Sequence, residues 1–303
     1  MMRLNPIIKR EIEIKNRSLT LPVAITVINA VLFGIGIAGT SAEVLQMRTS
    51  YTLDYGAFLK IYVAVILMQF VMIMFTAPVL TADVIAGERE RGTFDLLLTT
   101  KLTAGEIVAE KLISAYINMA MIVISGLPAM LIPLMFGGVH IQSTIVMLLI
   151  LLIEAFMIMS VGMLVSCYCR SSVKSIVISY AFMIALTAGP IVLGGLAGLF
   201  SSDGGNRLIY LTAIDPLLPV VTLLSAQIGE GSAIPETVYR MLNGTPDAAF
   251  TEHAVLIGLM VQAAIAFACI VLAVIHIMPH KNLRTAAGEI ELVHKLIQGK
   301  KSS

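Results

Sequence analysis

Charged side chains are scarce in this chain of 303 residues. Asp, Glu, Lys and Arg make up 13% of it, against roughly 25% in soluble domains. Hydrophobic residues make up 58%, and the mean hydropathy is +0.93. This composition excludes a soluble globular protein and indicates an integral membrane protein. A net charge of +1 also argues against nucleic-acid binding, which needs a basic surface to neutralise phosphates.

Tryptophan is absent and cysteine is rare. Without Trp, the aromatic residues at the membrane–water interface must be Tyr and Phe. The three cysteines, Cys167, Cys169 and Cys269, lie in or beside apolar segments. No second pair or nearby His completes a metal site with Cys167 and Cys169. We therefore interpret the cysteines as packing residues and predict no metal site.

The motifs of nucleotide hydrolysis and of hydrolytic catalysis are also missing. There is no Gly-x-x-x-x-Gly-Lys-Ser/Thr phosphate loop, no His-Glu-x-x-His and no credible nucleophilic triad. The chain is therefore not expected to be an enzyme or to hold a cofactor of its own. Energy for any active transport must come from another subunit.

Six segments are apolar and long enough to cross a bilayer, which takes about 20 residues. Glu154 is the only Asp, Glu, Lys or Arg inside them. The sequence predicts an all-α integral membrane protein with one membrane domain over residues 1–303. Its six transmembrane helices are expected at residues 19–39, 61–82, 112–136, 143–167, 175–200 and 254–278.

Lys and Arg are distributed unequally between the connecting segments. Sixteen lie on the side of the two termini and four on the other. Positive residues accumulate on the cytoplasmic side of membrane proteins, so both termini are predicted to be cytoplasmic. Residues 84–111 then form a cytoplasmic loop, residues 201–253 an extracytoplasmic loop, and residues 279–303 a cytoplasmic tail.

Residues 1–18 place Leu4, Ile7, Ile8 and Ile12 along one helical face. This pattern predicts an amphipathic helix that lies in the membrane interface; an ordinary charged flank is the alternative. No small-residue cleavage site follows the first apolar run, so that run is interpreted as a retained anchor rather than a cleaved signal.

A dense charged block follows the second span. Thr93 is expected to cap a short helix whose apolar side, with Phe94, Leu97 and Leu98, is buried. The polar side is expected to be free to dock a partner, although a solvated face fits the pattern equally well. Two glycines flank the charges and would permit sharp turns. These residues are Gly87, Glu88, Arg89, Glu90, Arg91 and Gly92.

A second helix start lies further along the same loop. Thr103 and Glu106 fit a capping box. It predicts a helix that continues directly into the third span.

Residues 86–100, followed by residues 106–111, resemble the type 2 family of ABC (ATP-binding cassette) transporter permeases. Shared features are an acidic residue, a Gly-Thr pair, a Leu-rich turn and a downstream Lys, Lys111. The resemblance implies that the loop after the second span forms a coupling helix in contact with a separate ATPase subunit. The implied contact residues are Glu88, Arg89, Glu90, Arg91, Gly92, Thr93, Phe94 and Leu97.

The same resemblance implies an assembly in the cytoplasmic membrane of the cell. Two permease chains, as a homodimer or with a close relative, would bind two copies of the ATPase subunit. That subunit would hold ATP and Mg, so this chain itself needs no cofactor. Export is the expected direction, and no nucleic-acid partner is expected.

Glu154 lies near the middle of the fourth span. A charged acid at that depth costs roughly 2.5–3.5 kcal/mol, so its side chain is expected to face the protein interior. It is predicted to line a substrate path or to meet a polar partner such as Gln69 or Gln262; a neutral packing acid is the alternative.

Residues 214–224 are too apolar for a solvated loop and too short to cross the membrane. They are expected to form a re-entrant helix, with a hydrophobic lid as the competing interpretation.

Two other functions fit parts of the sequence. One is a proton-driven secondary transporter with Glu154 as the carrier. The other is a membrane-embedded enzyme acting on lipid, which would need His, Asp or Ser side chains converging at one depth.

Overall fold

The computed structural model describes residues 20–50, 55–94, 103–135, 140–200, 209–228 and 248–277, and its regular elements in these ranges are helical. Helices satisfy every backbone hydrogen bond within one segment, which a lipid environment requires. The predicted interfacial helix (1–18) and tail (279–303) lie outside the described residues. The helices are α1 (Thr20–Ser50), α2 (Tyr55–Ala82), α3 (Ala86–Glu90), α4 (Ala104–Ser125), α5 (Leu127–Leu134), α6 (Ile141–Tyr168), α7 (Ser172–Phe200), α8 (Leu217–Ile228) and α9 (Ala248–Ile277), with a 3₁₀ turn at Ile209–Ile214.

Six helical stretches are long and apolar enough to cross a membrane, which confirms the predicted number. They are α1, α2, α4 with α5, α6, α7 and α9. Several extend beyond the predicted spans; α1, for example, runs to Ser50 instead of Gly39. Hydropathy detects only the part of a helix that suits hydrocarbon, and polar turns can continue the same helix beyond it.

The third span is divided at Gly126, whereas the sequence indicated one continuous segment. Pro128, in the first turn of α5, has no N–H to continue the helical ladder. Gln69 of α2 compensates, since its Nε2 donates to the Val123 carbonyl at 3.0 Å. The break is therefore stabilised by a buried amide from a neighbouring helix.

The most buried span is α6. It packs against α9, α2, α4 and α7, and it carries a long series of buried residues that includes Glu154 and Ser166. A sheath of partly exposed helices thus surrounds one central helix. Side chains on α6 are placed to connect the elements around it.

The short helix α8 lies against α6 and α9. At its far end, Gln227 Nε2 donates to the carbonyl of Ser143, in the first turn of α6, at 3.1 Å. Just before its near end, the carbonyl of Asp215 accepts from Nε2 of Gln262 at 3.1 Å. Gln262 is the fifteenth of the thirty residues of α9. α8 therefore runs from mid-helix depth to the end of the bundle, a rise of about 15 Å.

Candidate functional site

The charged block forms α3, directly after α2. The backbone N–H groups of Ile85 and Ala86 both donate to Ser166 Oγ at 3.0 Å. The cap residue of α3, Ile85, has no side-chain cap of its own, so a serine about 80 residues away on α6 satisfies the free N–H groups of this helix start. α3 is thereby attached to the central span.

The charged residues themselves form this short helix, which the sequence did not predict, because the cap from Ser166 is not visible in any local pattern. The helix predicted to start after Thr93 is a separate element, of which only Phe94, a helical residue, is described. The Thr93 hydroxyl donates back to the Glu88 carbonyl at 3.2 Å. Leu97 and Leu98 lie outside the described residues.

Three of the four charged side chains in the block are bound within the chain. Glu88 pairs with Lys111 of α4 at 2.5 Å, Arg89 donates to the Cys167 carbonyl of α6, and Glu90 accepts from the backbone N–H of Ser172 in α7 at 2.8 Å. The polar side expected to be free is therefore largely engaged. It ties α3 to three different helices at one end of the bundle.

Hydrogen bonds also hold two carboxylates of this end in the charged form. The backbone N–H of Ser172, and next its side chain, keep the pKa of Glu90 below its ordinary value. Thr103 has the same effect on the pKa of Glu106, again first through its backbone N–H. Both acids remain ionised at neutral pH, because their charged forms receive these bonds.

The capping box at the start of α4 is confirmed. Thr103 Oγ1 accepts from the Glu106 N–H at 3.3 Å, and Glu106 Oε2 accepts from the Thr103 N–H at 2.8 Å. α4 then continues into the third span as predicted. These two hydrogen bonds fix the first turn of α4, and the helix then runs without a break to Ser125.

Phe94 is buried, with 8% of its surface exposed, as its place on an apolar side predicted. The Arg89 guanidinium lies 4.7 Å from the centre of its ring, a cation–π contact. Gly92 has φ of +70°, which agrees with a predicted sharp turn. Gly87 instead lies inside α3, against the carboxyl of Asp83.

An exposed surface remains at residues 90–93, Glu90 to Thr93, which we call the α3 tip. Glu88 and Arg89 are half-buried behind it. Of the eight sequence-predicted contact residues, the structure thus places four in the α3 tip and three behind it, and Leu97 lies outside the described residues.

Replacing Ser166 by alanine is expected to loosen α3 without unfolding the bundle. Two N–H groups would lose their acceptor, and loss of a helix cap costs about 0.5–2 kcal/mol. Hydrogen exchange of the Ile85 and Ala86 amides should rise about tenfold, the factor for ~1.4 kcal/mol. Ser160→Ala is the control, because the Ser160 hydroxyl binds only the Phe156 carbonyl of its own helix. Equal exchange in both variants would contradict the cap.

Glu154 forms a second polar centre, at the fourteenth of the 28 residues of α6. Its exposure is 0%, in agreement with an inward-facing side chain. Of the two predicted partners, Gln262 lies beside it, whereas Gln69 binds the Val123 carbonyl. The carboxyl group of Asp215 is also close enough to interact electrostatically with that of Glu154. Sequence reasoning missed this acid, because its position at the start of an apolar segment gave no sign of its depth.

Within the described part of the chain, no group of three His, Cys, Asp or Glu side chains could hold a metal ion. Cys167 and Cys269 are buried, in keeping with their interpretation as packing residues.

Comparison with known families agrees with this architecture. The sequence profile described as "ABC-2 family transporter protein" matches residues 68–278, which include most of α2 and all of α3 to α9. No protein with a curated description matches the chain at a significant level. Members of the family are non-catalytic transmembrane subunits, and they generally pair with ABC ATPase subunits. The chain therefore belongs to the ABC-2 family of transporter proteins and is a multi-pass membrane permease.

Proposed function

We propose that this permease is the transmembrane subunit of an ATP-driven exporter and that the α3 tip contacts its ATPase subunit. Both termini and the α3 tip lie in the cytoplasm in this proposal, in line with the sixteen-to-four distribution of Lys and Arg. The observation that carries the proposal is the attachment of α3 to α4, α6 and α7 at once. A displacement of the tip would reach three spans without an intervening flexible link.

The attachments bind α3 to three different spans. The Glu88–Lys111 pair links α3 to the first turns of α4. Ser166 and the Cys167 carbonyl bind α3 to the end of the central helix α6, and Glu90 binds the first residue of α7. ATP-driven closure of two ATPase subunits would bring two such tips together and tilt the attached spans.

The complex would contain two permease chains, identical or closely related, and two ATPase subunits in the cytoplasmic membrane. ATP and Mg would be held by the ATPase subunits, since this sequence has no phosphate loop. Tilting of the spans would close a central path to the cytoplasm and open it outward. Export suits this chain, because no part of it resembles a dock for an external binding protein.

The docking role is tested by Arg91→Glu, a charge reversal on the exposed tip. Binding of the purified permease to its ATPase subunit should weaken at least tenfold, equivalent to about 1.4 kcal/mol, because electrostatic complementarity at the contact is reversed. Arg48→Glu is the matched control, since Arg48 is exposed in the last turn of α1, away from α3. Equal affinity for the wild type and the Arg91 variant would count against docking at the α3 tip.

A further inference from the structure

A group of buried oxygen atoms at the centre of the bundle lacks hydrogen-bond donors. Neither carboxyl oxygen of Glu154 has a partner, and Gln262 Oε1 has none either. Both residues have an exposure of 0%. The Gln262 side chain lies beside the Glu154 carboxyl, and Asp215 interacts with the same carboxyl electrostatically. Asp215 is itself 5% exposed.

The orientation of the Gln262 amide is set by its other contact. Its nitrogen faces the Asp215 carbonyl at 3.1 Å, and a carbonyl oxygen can only accept a hydrogen bond. The amide oxygen of Gln262 is therefore the atom left without a donor. An ionised Glu154 cannot supply one, since a carboxylate only accepts. A protonated carboxyl supplies the missing O–H.

No tyrosine hydroxyl supplies this donor among the described helices packed on α6. On α2, α4 and α7 the hydroxyls of Tyr62, Tyr116 and Tyr180 are directed to Thr144, the Leu152 carbonyl and the Phe75 carbonyl. The helices α5 and α8 contain no ionisable side chain. On α9, His276 stacks on Tyr168 at the far end of α6, and His253 is exposed nine residues before Gln262. Asp215 is thus the acid that faces Glu154.

We propose that Glu154 is a reversible proton-binding site and that its bound proton is donated to Gln262 Oε1. This completes a chain of hydrogen bonds from Glu154 through Gln262 to the Asp215 carbonyl. Binding is a simple protonation, in which a carboxylate and a proton from water give the neutral acid. The proton thereby gives a donor to a buried acceptor that would otherwise be unpaired, which favours the protonated state.

The proton site lies at the inner end of α8. Asp215 Oδ1 accepts from the Leu217 N–H at 2.9 Å and so caps this helix. The Asp215 carbonyl also accepts from the Leu218 N–H at 3.2 Å. Without the proton, Glu154 would present a negative charge to Asp215 in apolar surroundings, which is strongly unfavourable. Proton loss would therefore release the inner end of α8.

The outer end of α8 has a separate anchor. Gln227, the eleventh of the twelve residues of α8, binds the Ser143 carbonyl. α8 would then pivot on this outer contact when the inner end is freed. This gating role rests on the proposed transport function, whereas the proton site depends only on residues of this chain.

Infrared spectroscopy of the purified full-length chain in lipid nanodiscs tests the proton site. The wild type should show a protonated-carboxyl band near neutral pH that disappears as the pH is raised. Glu154→Gln should remove the band, while Asp215→Asn and the control Glu43→Gln should retain it. The Glu43 carboxyl is half-buried on α1, far along the chain from this centre. A band that survives in Glu154→Gln, or the absence of any such band in the wild type, would overturn the proposal.

A second variant keeps the test valid if Glu154→Gln folds poorly. Gln262→Leu removes the proposed acceptor but leaves the acid in place. The carboxyl band should persist in this variant and move to a frequency typical of a carboxyl group without a hydrogen bond. An unchanged frequency would show that Gln262 is not the acceptor.

Hydrogen exchange of the α8 amides tests whether loss of the Glu154 proton releases the inner end of α8. At a pH where the wild-type band has disappeared, amides of Leu217–Ile228 should exchange at least fivefold faster in the wild type than in Glu154→Gln; at a pH where the band is present, the two should match. Comparing proteins at the same pH cancels the intrinsic pH dependence of exchange. Equal rates at both pH values would refute the release of α8. Neither measurement uses the ATPase subunit, so failure of the docking test leaves the result intact.

Discussion

Glu88→Lys is expected to uncouple ATP hydrolysis from movement of the spans. The change places two ammonium groups together where Glu88 and Lys111 now form an ion pair at 2.5 Å, with 18% and 12% of their side chains exposed. Breaking a fully buried pair costs about 3–5 kcal/mol, and partial exposure reduces this to about 2 kcal/mol. The contact between α3 and α4 should then be lost, while Ser166 still holds the start of α3.

The result is measured on the reconstituted complex with its ATPase subunit. The rate of ATP hydrolysis should stay within about twofold of wild type. The ATP-dependent change in hydrogen exchange of α4 should fall at least tenfold, as expected for a loss above ~1.4 kcal/mol. Normal ATP-dependent exchange in Glu88→Lys would contradict a role for the pair in transmission.

The reversed pair provides the matched control. Glu88→Lys combined with Lys111→Glu restores opposite charges at the same positions. This double variant should recover most of the ATP-dependent change in α4, whereas Lys111→Glu alone should not. A double variant as defective as either single change would show that the charges act through the ATPase subunit and not through each other.

Local patterns in the sequence predicted the features that depend on local physics. Six apolar runs gave six spans, because a membrane helix must be apolar over its own length. The capping box at Thr103 was visible, because its two partners are three residues apart. The inward position of Glu154 followed from the cost of exposing an acid to lipid.

Contacts between distant segments could not be predicted in the same way. Ser166 caps α3 across about 80 residues, and nothing near Ser166 marks it as a cap. The periodicity of a sequence shows on which face of a helix a residue lies, but not at which depth it lies relative to residues of another helix. For this reason Gln69 and Gln262 were equivalent candidates for Glu154 until packing placed them. The side chains of the charged block were expected to be free for the same reason. Their partners Cys167 and Ser172 lie at the end of α6 and the start of α7, far away in the sequence.

Replacing Gly162 by leucine is expected to disrupt the crossing of α2 and α6. A Cβ at this position would lie 2.2 Å from Thr81 Oγ1 and 3.8 Å from Pro78 Cα, so a larger side chain must push the helices apart. Overpacking of this kind costs about 1–3 kcal/mol, and more when backbone must move. The midpoint of thermal unfolding in detergent should fall by about 5–10 °C. Gly189→Leu is the control, because no atom apart from the adjoining residues and backbone of its own helix lies within 4 Å of a Cβ built at Gly189.

A smaller substitution at the same crossing identifies the atom that causes the loss of stability. Gly162→Ala should destabilise the protein by about 1 kcal/mol, and Thr81→Ala in the same chain should restore most of the loss, because it removes the hydroxyl while Thr81 Cβ, at 3.3 Å, can remain. Ser166 lies one turn beyond Gly162 on α6, and Thr81 is next to the end of α2. The crossing therefore sets the distance between the cap and the α3 backbone. Rescue of stability should be accompanied by rescue of Ile85 and Ala86 amide protection; recovery of stability alone would separate the packing of the bundle from the placement of α3.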